Sequence, residues 1–552
     1  MNLEQTYKNP VIRGFCPDPS ICRFDDRYYL VCSSFQYFPG IPIYESNDLI
    51  NWTLIGHALT RQEQLPLHGA DSSGGIYAPT IRCHNGRFYI VTTNVNGCGN
   101  FLIWTDDIYG EWSDIIPIDR DGIDPSLYFE DEHVYFMSNH NDSDGRASIM
   151  QCEICPQTGT ILSEARCIWR GCGGRYLEGP HLYKRKDYYY LLAAEGGTEY
   201  GHMEVIARSR HPYGPFEVPP ADSPDANPIL TNRNLGGYPL QGTGHGDLIQ
   251  DKFGNWWMVL LAFRQIGQYL TFHHLGRETC LVPVTFTEDG WLKAGVDKTV
   301  RLDMTFPAVF AKNSLLKDGF DQPSSLSTSV SSSNEIIEQR FIQQYDFHSD
   351  AVGKEWIWLR NPDLSNYQFH GNVLSLKGTS VTLDNSAISP SFLGIRQQEF
   401  DGHIHVKLSS SKGEAGITLY MNQEHHYDFA LLHTQERCCL IKRRTIGDMQ
   451  YIQQEVSLPI HTENVLLDIS MNAETYTFHA EVHSNSDHSD YSRDTVLNDS
   501  DYNPIQFDFG TACTKYLSSE TAGGFTGVMI GLYAMDTEES FAEFSNFTYS
   551  LY

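Results

Sequence analysis

Five copies of one short pattern organise the first three hundred residues, and a repeat of this kind restricts the architecture more than any single motif can. The copies are DPSICRFDDRYYLV from Asp18, APTIRCHNGRFYIV from Ala78, DPSLYFEDEHVYFM from Asp124, GPHLYKRKDYYYLL from Gly179 and HGDLIQDKFGNWWMV from His245. Each starts at a small residue or a Pro turn, passes through an apolar strand and a polar turn, and ends in an aromatic-rich strand. Tyr29, Tyr89, Tyr135, Tyr190 and Trp256 hold equivalent places in the five copies. A second pair of strands is expected after several of them, as where Tyr44 and Glu45 precede Trp52, Trp104 precedes Trp112, and Arg208 precedes Phe216. Four short strands per unit of about 40 to 60 residues predict the blades of a five-bladed β-propeller.

In a propeller the innermost strand of each blade starts at one mouth of the central channel. The five repeat starts should therefore converge on one axis. This gathers Asp18, Asp124, His245 and Glu178, the residue just ahead of the aligned Gly179, around a single pit. One Asp-Pro pair alone is an ordinary turn starter. Three carboxyl groups and a His at one channel mouth are costly as mere structure, because like charges repel and desolvate badly.

The pattern stops before a Ser-rich stretch, DQPSSLSTSVSSSNEIIEQ, which begins at Asp321. Strands such as HIHVKLSSS, GITLYM, YDFALLH and GVMIGLYAM follow it without the repeat. The expected division of this all-β chain is a propeller over 1–313, a linker or surface excursion over 314–341 and a jelly-roll-like β-sandwich over 342–552.

Charge narrows the partners. The chain has 39 basic and 69 acidic residues, a net charge of -30, which repels nucleic acid and anionic membrane surfaces and suits a neutral substrate. MNLEQTYKNPVIRGF has no basic region leading into an apolar stretch, and no run of about 18 apolar residues occurs. With 13 irregularly spread cysteines, the expectation is a cytoplasmic protein whose cysteines act as small buried hydrophobes. Cys152 and Cys155, with Cys167 and Cys172, have a superficially zinc-like spacing but lie in strand-like sequence, which favours packing.

The segment GFCPDPSICRFDDRYYLVCSSFQYFPGIPIYESNDLINW, with GIDPSLYF, YLEGPHLYKR, GTGHGDLI and LGRETCLVPV, resembles the family 43 glycoside hydrolases. More closely it resembles their two-domain β-xylosidases, a five-bladed propeller followed by a C-terminal sandwich. The resemblance implies an inverting exo-glycosidase with Asp18 as general base, Glu178 as general acid and Asp124 tuning and orienting the acid. It implies that Phe35 and Tyr77 wall the sugar pocket, that His245 and Arg277 reach the sugar and the carboxylates, and that Phe525 of the sandwich closes the rim. Relatives commonly carry His where this chain has Cys16, and often Trp where Tyr77 stands. No cofactor is required on this reading, and a divalent cation such as calcium near His245 stays open, as does homo-oligomer formation.

The implied activity is release of xylose from the non-reducing ends of β-1,4-xylo-oligosaccharides. The alternatives are an α-L-arabinofuranosidase, a retaining fructosidase of the same architecture, and a sugar-binding propeller without catalysis.

Overall fold

The computed structural model describes residues 6–305, 341–344, 347, 352–482 and 504–552. Each repeat forms the inner hairpin of one antiparallel sheet. The hairpins are Ser20–Phe24 with Arg27–Val31, Thr80–His84 with Arg87–Asn94, Ile123–Glu130 with His133–Asn141, Glu178–Arg185 with Tyr188–Glu195, and Leu240–Gln250 with Trp256–Arg264. These sheets are blades I to V of a propeller. Their innermost strands neighbour one another in a closed ring, blade V returning to blade I. Thr6–Lys8 pairs with Asp303–Thr305, joining the start of the propeller to its end.

The aromatic position of the repeat explains why the blades stack. Tyr29 of blade I meets Phe88 of blade II edge to face at 5.4 Å, and Tyr89 meets Phe129 of blade III at 5.0 Å. Tyr190 of blade IV meets Phe286 of blade V at 5.7 Å. One ring per repeat thus fills each of these wedges, edge-on in the Tyr29 and Tyr190 pairs and tilted by 38° in the Tyr89 pair.

Blades I, II, III and V have four strands, whereas blade IV has three: Glu178–Arg185, Tyr188–Glu195 and Met203–Ser209. The segment after Ser209 carries Pro212, Pro215, Pro219 and Pro220, which cannot donate to a strand ladder. Isolated bridges of Arg208 with Glu217 and of Glu204 with Leu230 mark the place of an outer strand.

A buried hub ties the inner strands together. Asp247 of blade V accepts hydrogen bonds from Ser20 Oγ (2.6 Å) and Ile21 N (3.0 Å) of blade I. It also accepts from Arg82 of blade II (2.7 and 3.1 Å) and from the Tyr183 hydroxyl of blade IV. Burial opposes the charge on Asp247, but Arg82 and the other donors outweigh it and hold the carboxyl well below its usual range.

Among the described residues the second unit is a sandwich of an eight-stranded and a six-stranded sheet. Of the expected linker, 314–340 lie outside the described residues, and Phe341–Gln344 pairs with Ala542–Leu551 in the larger sheet. The sandwich is joined to the propeller through Trp358–Leu359, which pairs with Tyr37–Phe38 beside blade I. One buried apolar cluster runs continuously from Phe38, Leu59 and Ile76 into Trp358, Ile417 and Phe429.

The cysteines depart from expectation in two ways: Cys98, Cys172 and Cys513 are exposed rather than buried, and two others are paired. Cys16 and Cys32 are disulfide-bonded, because the hairpin of blade I brings the residues flanking its two strands face to face. Eleven other cysteines are free, and Cys152, Cys155, Cys167 and Cys172 are among them.

Candidate active site

Four of the five repeat starts share an uncommon backbone state. Asp18, Asp124, Gly179 and His245 all have a left-handed φ, of 52°, 54°, 58° and 51°. Asp tolerates this region better than most residues and Gly does so freely. The inner strands of blades III, IV and V are also bulged, between Ile123 and Ser126, Glu178 and His181, and Gln241 and Gly244. Bulges bend a strand and re-aim its side chains. Here they lie where the strands leave the ring at the channel mouth.

The result is a small cavity of about 90 Å³. Asp18, Asp124, Glu178, His245 and Arg277 supply its polar side, and Phe35, Tyr77 and Phe525 supply its aromatic side. All eight residues singled out in the sequence therefore meet at one place. The three rings form a cluster: Phe35 lies 5.3 Å from Tyr77 and 6.0 Å from Phe525, onto which it stacks. Phe35 is also core, buried against Phe15 at 5.9 Å, whereas Phe525 is 39% exposed.

The carboxyl groups stand in unlike surroundings. Asp18 accepts from Arg277 Nη1 at 2.8 Å and Ser33 Oγ at 2.5 Å, with His245 Nδ1 3.7 Å away. Burial works to raise its pKa, but Arg277, then His245 and Ser33, overcome that and hold it below the ordinary carboxylate value. Among the described residues no such cation is bonded to Asp124, which accepts a hydrogen bond from Gly179 N at 3.3 Å. Burial, reinforced by repulsion from Glu178 and Asp18, pushes its pKa up to about 7 against the opposing pull of His245. Glu178 is the most open of the three, its side chain 17% exposed, with His202 Nε2 at 3.5 Å from Oε1. The site thus combines one firmly ionised carboxylate, Asp18, with a buried carboxyl, Asp124, whose burial holds its proton toward neutral pH.

Arg277 is the central cation. Besides Asp18 it donates to Thr198 Oγ1 at 2.9 Å and to the Phe525 carbonyl at 3.2 Å, and its guanidinium lies 5.7 Å from the Phe35 ring centre. The sandwich is therefore part of the cavity wall. Beyond Phe525 a second cavity of about 400 Å³ opens, lined by Thr198, Glu199, Tyr200, His273, Glu520 and other residues of both units.

Ser33, Thr198 and His202 were not foreseen. They come from strand ends and a loop outside the repeat starts, so alignment of the repeats carries no signal for them. Among the described residues no group of three or more His, Cys, Asp or Glu side chains could hold a metal ion.

Comparison with known proteins agrees with this architecture. Residues 7–292 match the family model described as Glycosyl hydrolases family 43. Residues 344–550 match that of the beta xylosidase C-terminal Concanavalin A-like domain. The chain is 38% identical to the non-reducing end alpha-L-arabinofuranosidase BoGH43B of Bacteroides ovatus, over 96% of this chain and 92% of that one. It is 34% identical to a xylosidase/arabinosidase of Butyrivibrio fibrisolvens, over 98% of each. The solved structure of the Bacteroides ovatus xyloglucan GH43B protein superposes with a TM-score of 0.83 at 36% identity, covering 99% of this chain and 100% of that one. With a propeller and a sandwich meeting at a three-carboxyl cavity, and with both of its units matched, the chain belongs to glycosyl hydrolase family 43 and is a glycoside hydrolase.

Proposed function

We propose that the protein removes single terminal β-1,4-linked xylose residues from the non-reducing ends of short xylo-oligosaccharides, with inversion at the anomeric carbon. The observation that carries this reading is the contrast between the carboxyl groups. Asp18, held ionised by Arg277, takes a proton from water as the water oxygen bonds to the anomeric carbon. Glu178 gives its proton to the glycosidic oxygen as the bond to the leaving sugar breaks. Asp124, kept protonated toward neutral pH by its burial, stands beside Glu178 and donates no proton to the substrate itself. No cofactor enters the reaction.

The closed aromatic side of the cavity supports exo action on a small, flat ring. Phe35, Tyr77 and Phe525 offer apolar surface to a pyranose lacking a C6 hydroxymethyl group, which the narrow pocket would have to accommodate in a glucoside. Discrimination of this kind rests on shape. The names of the two relatives favour a second reading, an α-L-arabinofuranosidase or a bifunctional enzyme, because one is called an arabinofuranosidase and the other a xylosidase/arabinosidase. A cytoplasmic site of action on imported oligosaccharides belongs to the same proposal; the eleven free cysteines support it, the Cys16–Cys32 bond weighs against it, and cell fractionation tests it.

The deciding experiment compares kcat/KM on nitrophenyl β-xyloside, α-L-arabinofuranoside and β-glucoside, followed by xylobiose. Proton NMR of the first product from a β-xyloside should show the α-anomer. An initial β-anomer would refute inversion, and a preference for the arabinofuranoside without cleavage of xylobiose would select the second reading.

A further inference from the structure

Phe525 is reached from the sandwich by a short path that is bonded to the propeller at Ser519, Glu520 and Phe525 and to the sandwich residue Asn422, which donates to the Ala522 carbonyl at 3.1 Å. The four-residue helix Ser519–Ala522 carries Glu520, whose carboxylate accepts three hydrogen bonds. His273 Nδ1 and the Tyr200 hydroxyl donate to Oε1, at 2.8 and 2.9 Å, and the His273 backbone N–H donates to Oε2 at 2.9 Å. Ser519 N returns a bond to the His273 carbonyl at 3.1 Å. His273 is itself fixed, stacked on Phe263 at 3.9 Å with 12° between the ring planes, and Tyr200 packs edge-on against the same Phe263 at 5.1 Å.

Beyond the helix the chain passes through Gly523 and Gly524 to Phe525. The Phe525 N–H donates to Ser73 Oγ at 2.8 Å and its carbonyl accepts from Arg277. Phe525 lines both the catalytic cavity and the second, larger one, as do Thr198 and Arg277. Glu520 and His273 line the second cavity. Every partner of the Glu520 carboxylate named above belongs to the propeller, so this contact fixes where the sandwich holds Phe525 against the pocket.

We propose that Glu520 is a positioning residue: by anchoring Ser519–Ala522 to His273 and Tyr200 it holds Phe525 as the partition between the terminal-sugar pocket and a second cavity that receives the leaving part of the saccharide. This rests on the reading of the smaller cavity as a terminal-sugar site. The anchor acts on how tightly sugars are held more than on the rate of bond cleavage, because the hydrogen bonds of Glu520 go to His273 and Tyr200 and to none of the three catalytic carboxyl groups.

The test is steady-state kinetics of Glu520→Ala, Glu520→Gln and Tyr200→Phe on nitrophenyl β-xyloside and xylobiose, with inhibition by free xylose. In Glu520→Ala, KM for xylobiose and Ki for xylose should each rise about tenfold, as for loss of a charge-assisted contact, with kcat changing less than KM. Glu520→Gln keeps one acceptor oxygen and should recover part of the affinity, and Tyr200→Phe should shift both constants in the same direction by a smaller factor. Unchanged KM and Ki in a folded Glu520→Ala, or a fall in kcat alone, overturns the proposal. Should Glu520→Ala fail to fold, unchanged constants in Tyr200→Phe overturn it equally. A wild-type enzyme that cleaves no terminal xyloside or arabinofuranoside would instead defeat the underlying reading of the pocket. If arabinofuranoside is the better substrate, the same constants are measured with it and with free arabinose.

Discussion

Gly179 packs directly against the ring of His245: a Cβ at this position would lie 2.9 Å from both Cδ2 and Nε2 of that ring. The contact links the acid side of the site to the base side. Gly179 follows Glu178 and donates its N–H to Asp124, while His245 faces Asp18. Gly179→Ala would both strain a backbone with φ of 58° and push the imidazole away. It should lower kcat/KM by about 10²-fold, the scale of a misplacement near 1 Å, and destabilise the fold by about 1–3 kcal/mol. Kinetics and thermal unfolding of the variant measure the two effects separately.

The roles of the base and the acid separate by leaving group. Asp18→Ala should abolish turnover of every substrate, since no other group beside Arg277 is placed to activate water. Glu178→Ala should cost about 10²–10⁴-fold on xylobiose but far less on aryl xylosides whose phenols leave without protonation. Equal losses on both substrates would remove Glu178 from the acid's role.

Acidity gives a third expectation. Activity should fall as pH rises through about 7, where Asp124 gives up the proton that burial holds on it. On the acid side it should persist below the ordinary carboxylate range, because Asp18 stays ionised there. Stability follows the opposite interest. The folded pKa of Asp124 lies above its unfolded value of about 3.9, so its contribution is favourable at low pH and is lost as pH rises toward 7. Asp124→Asn should therefore stabilise the fold by about 1–2 kcal/mol at pH 8 and by less at pH 4, while lowering activity and shifting the basic limb of the profile downward. Denaturant melts at the two pH values check the sign.

Phe525→Ala should raise KM for xylobiose more than it lowers the melting temperature, because the side chain is 39% exposed and its contacts are to pocket rings. A core Phe would cost about 3–5 kcal/mol on truncation. A loss of that size with unchanged kinetics would reassign it to packing.

The hub offers a structural counterpart. Asp247→Ala strands the Arg82 guanidinium in the interior, and breaking such a buried pair costs about 3–5 kcal/mol. Chemical denaturation should register the loss before any change in substrate preference is measurable.

The blades and the pit were legible because a repeat makes equivalent residues equivalent in space: once Asp18 and Asp124 align, a common axis follows. The inner hairpins fell where the aromatic alternation placed them. The outer edge of blade IV did not, since no periodic signal distinguishes a missing fourth strand from an irregular one and the prolines act one by one. Thr198 and His202 escaped for a related reason. They reach the site from the chain beyond Glu195, where position depends on tertiary packing and no pattern recurs. The Cys16–Cys32 bond was likewise hidden, because pairing depends on how two strand ends meet and 13 cysteines allow many partners.

The strand pair Trp358–Leu359 with Tyr37–Phe38 has a consequence for how this enzyme can be cut or recombined. Excision of the sandwich would leave Tyr37 and Phe38 without their ladder and open the cluster containing Phe38, Leu59 and Ile76 to water. Neither half would then be a portable module. Heating should melt the whole molecule in one calorimetric event, and a propeller expressed alone should bind hydrophobic dyes.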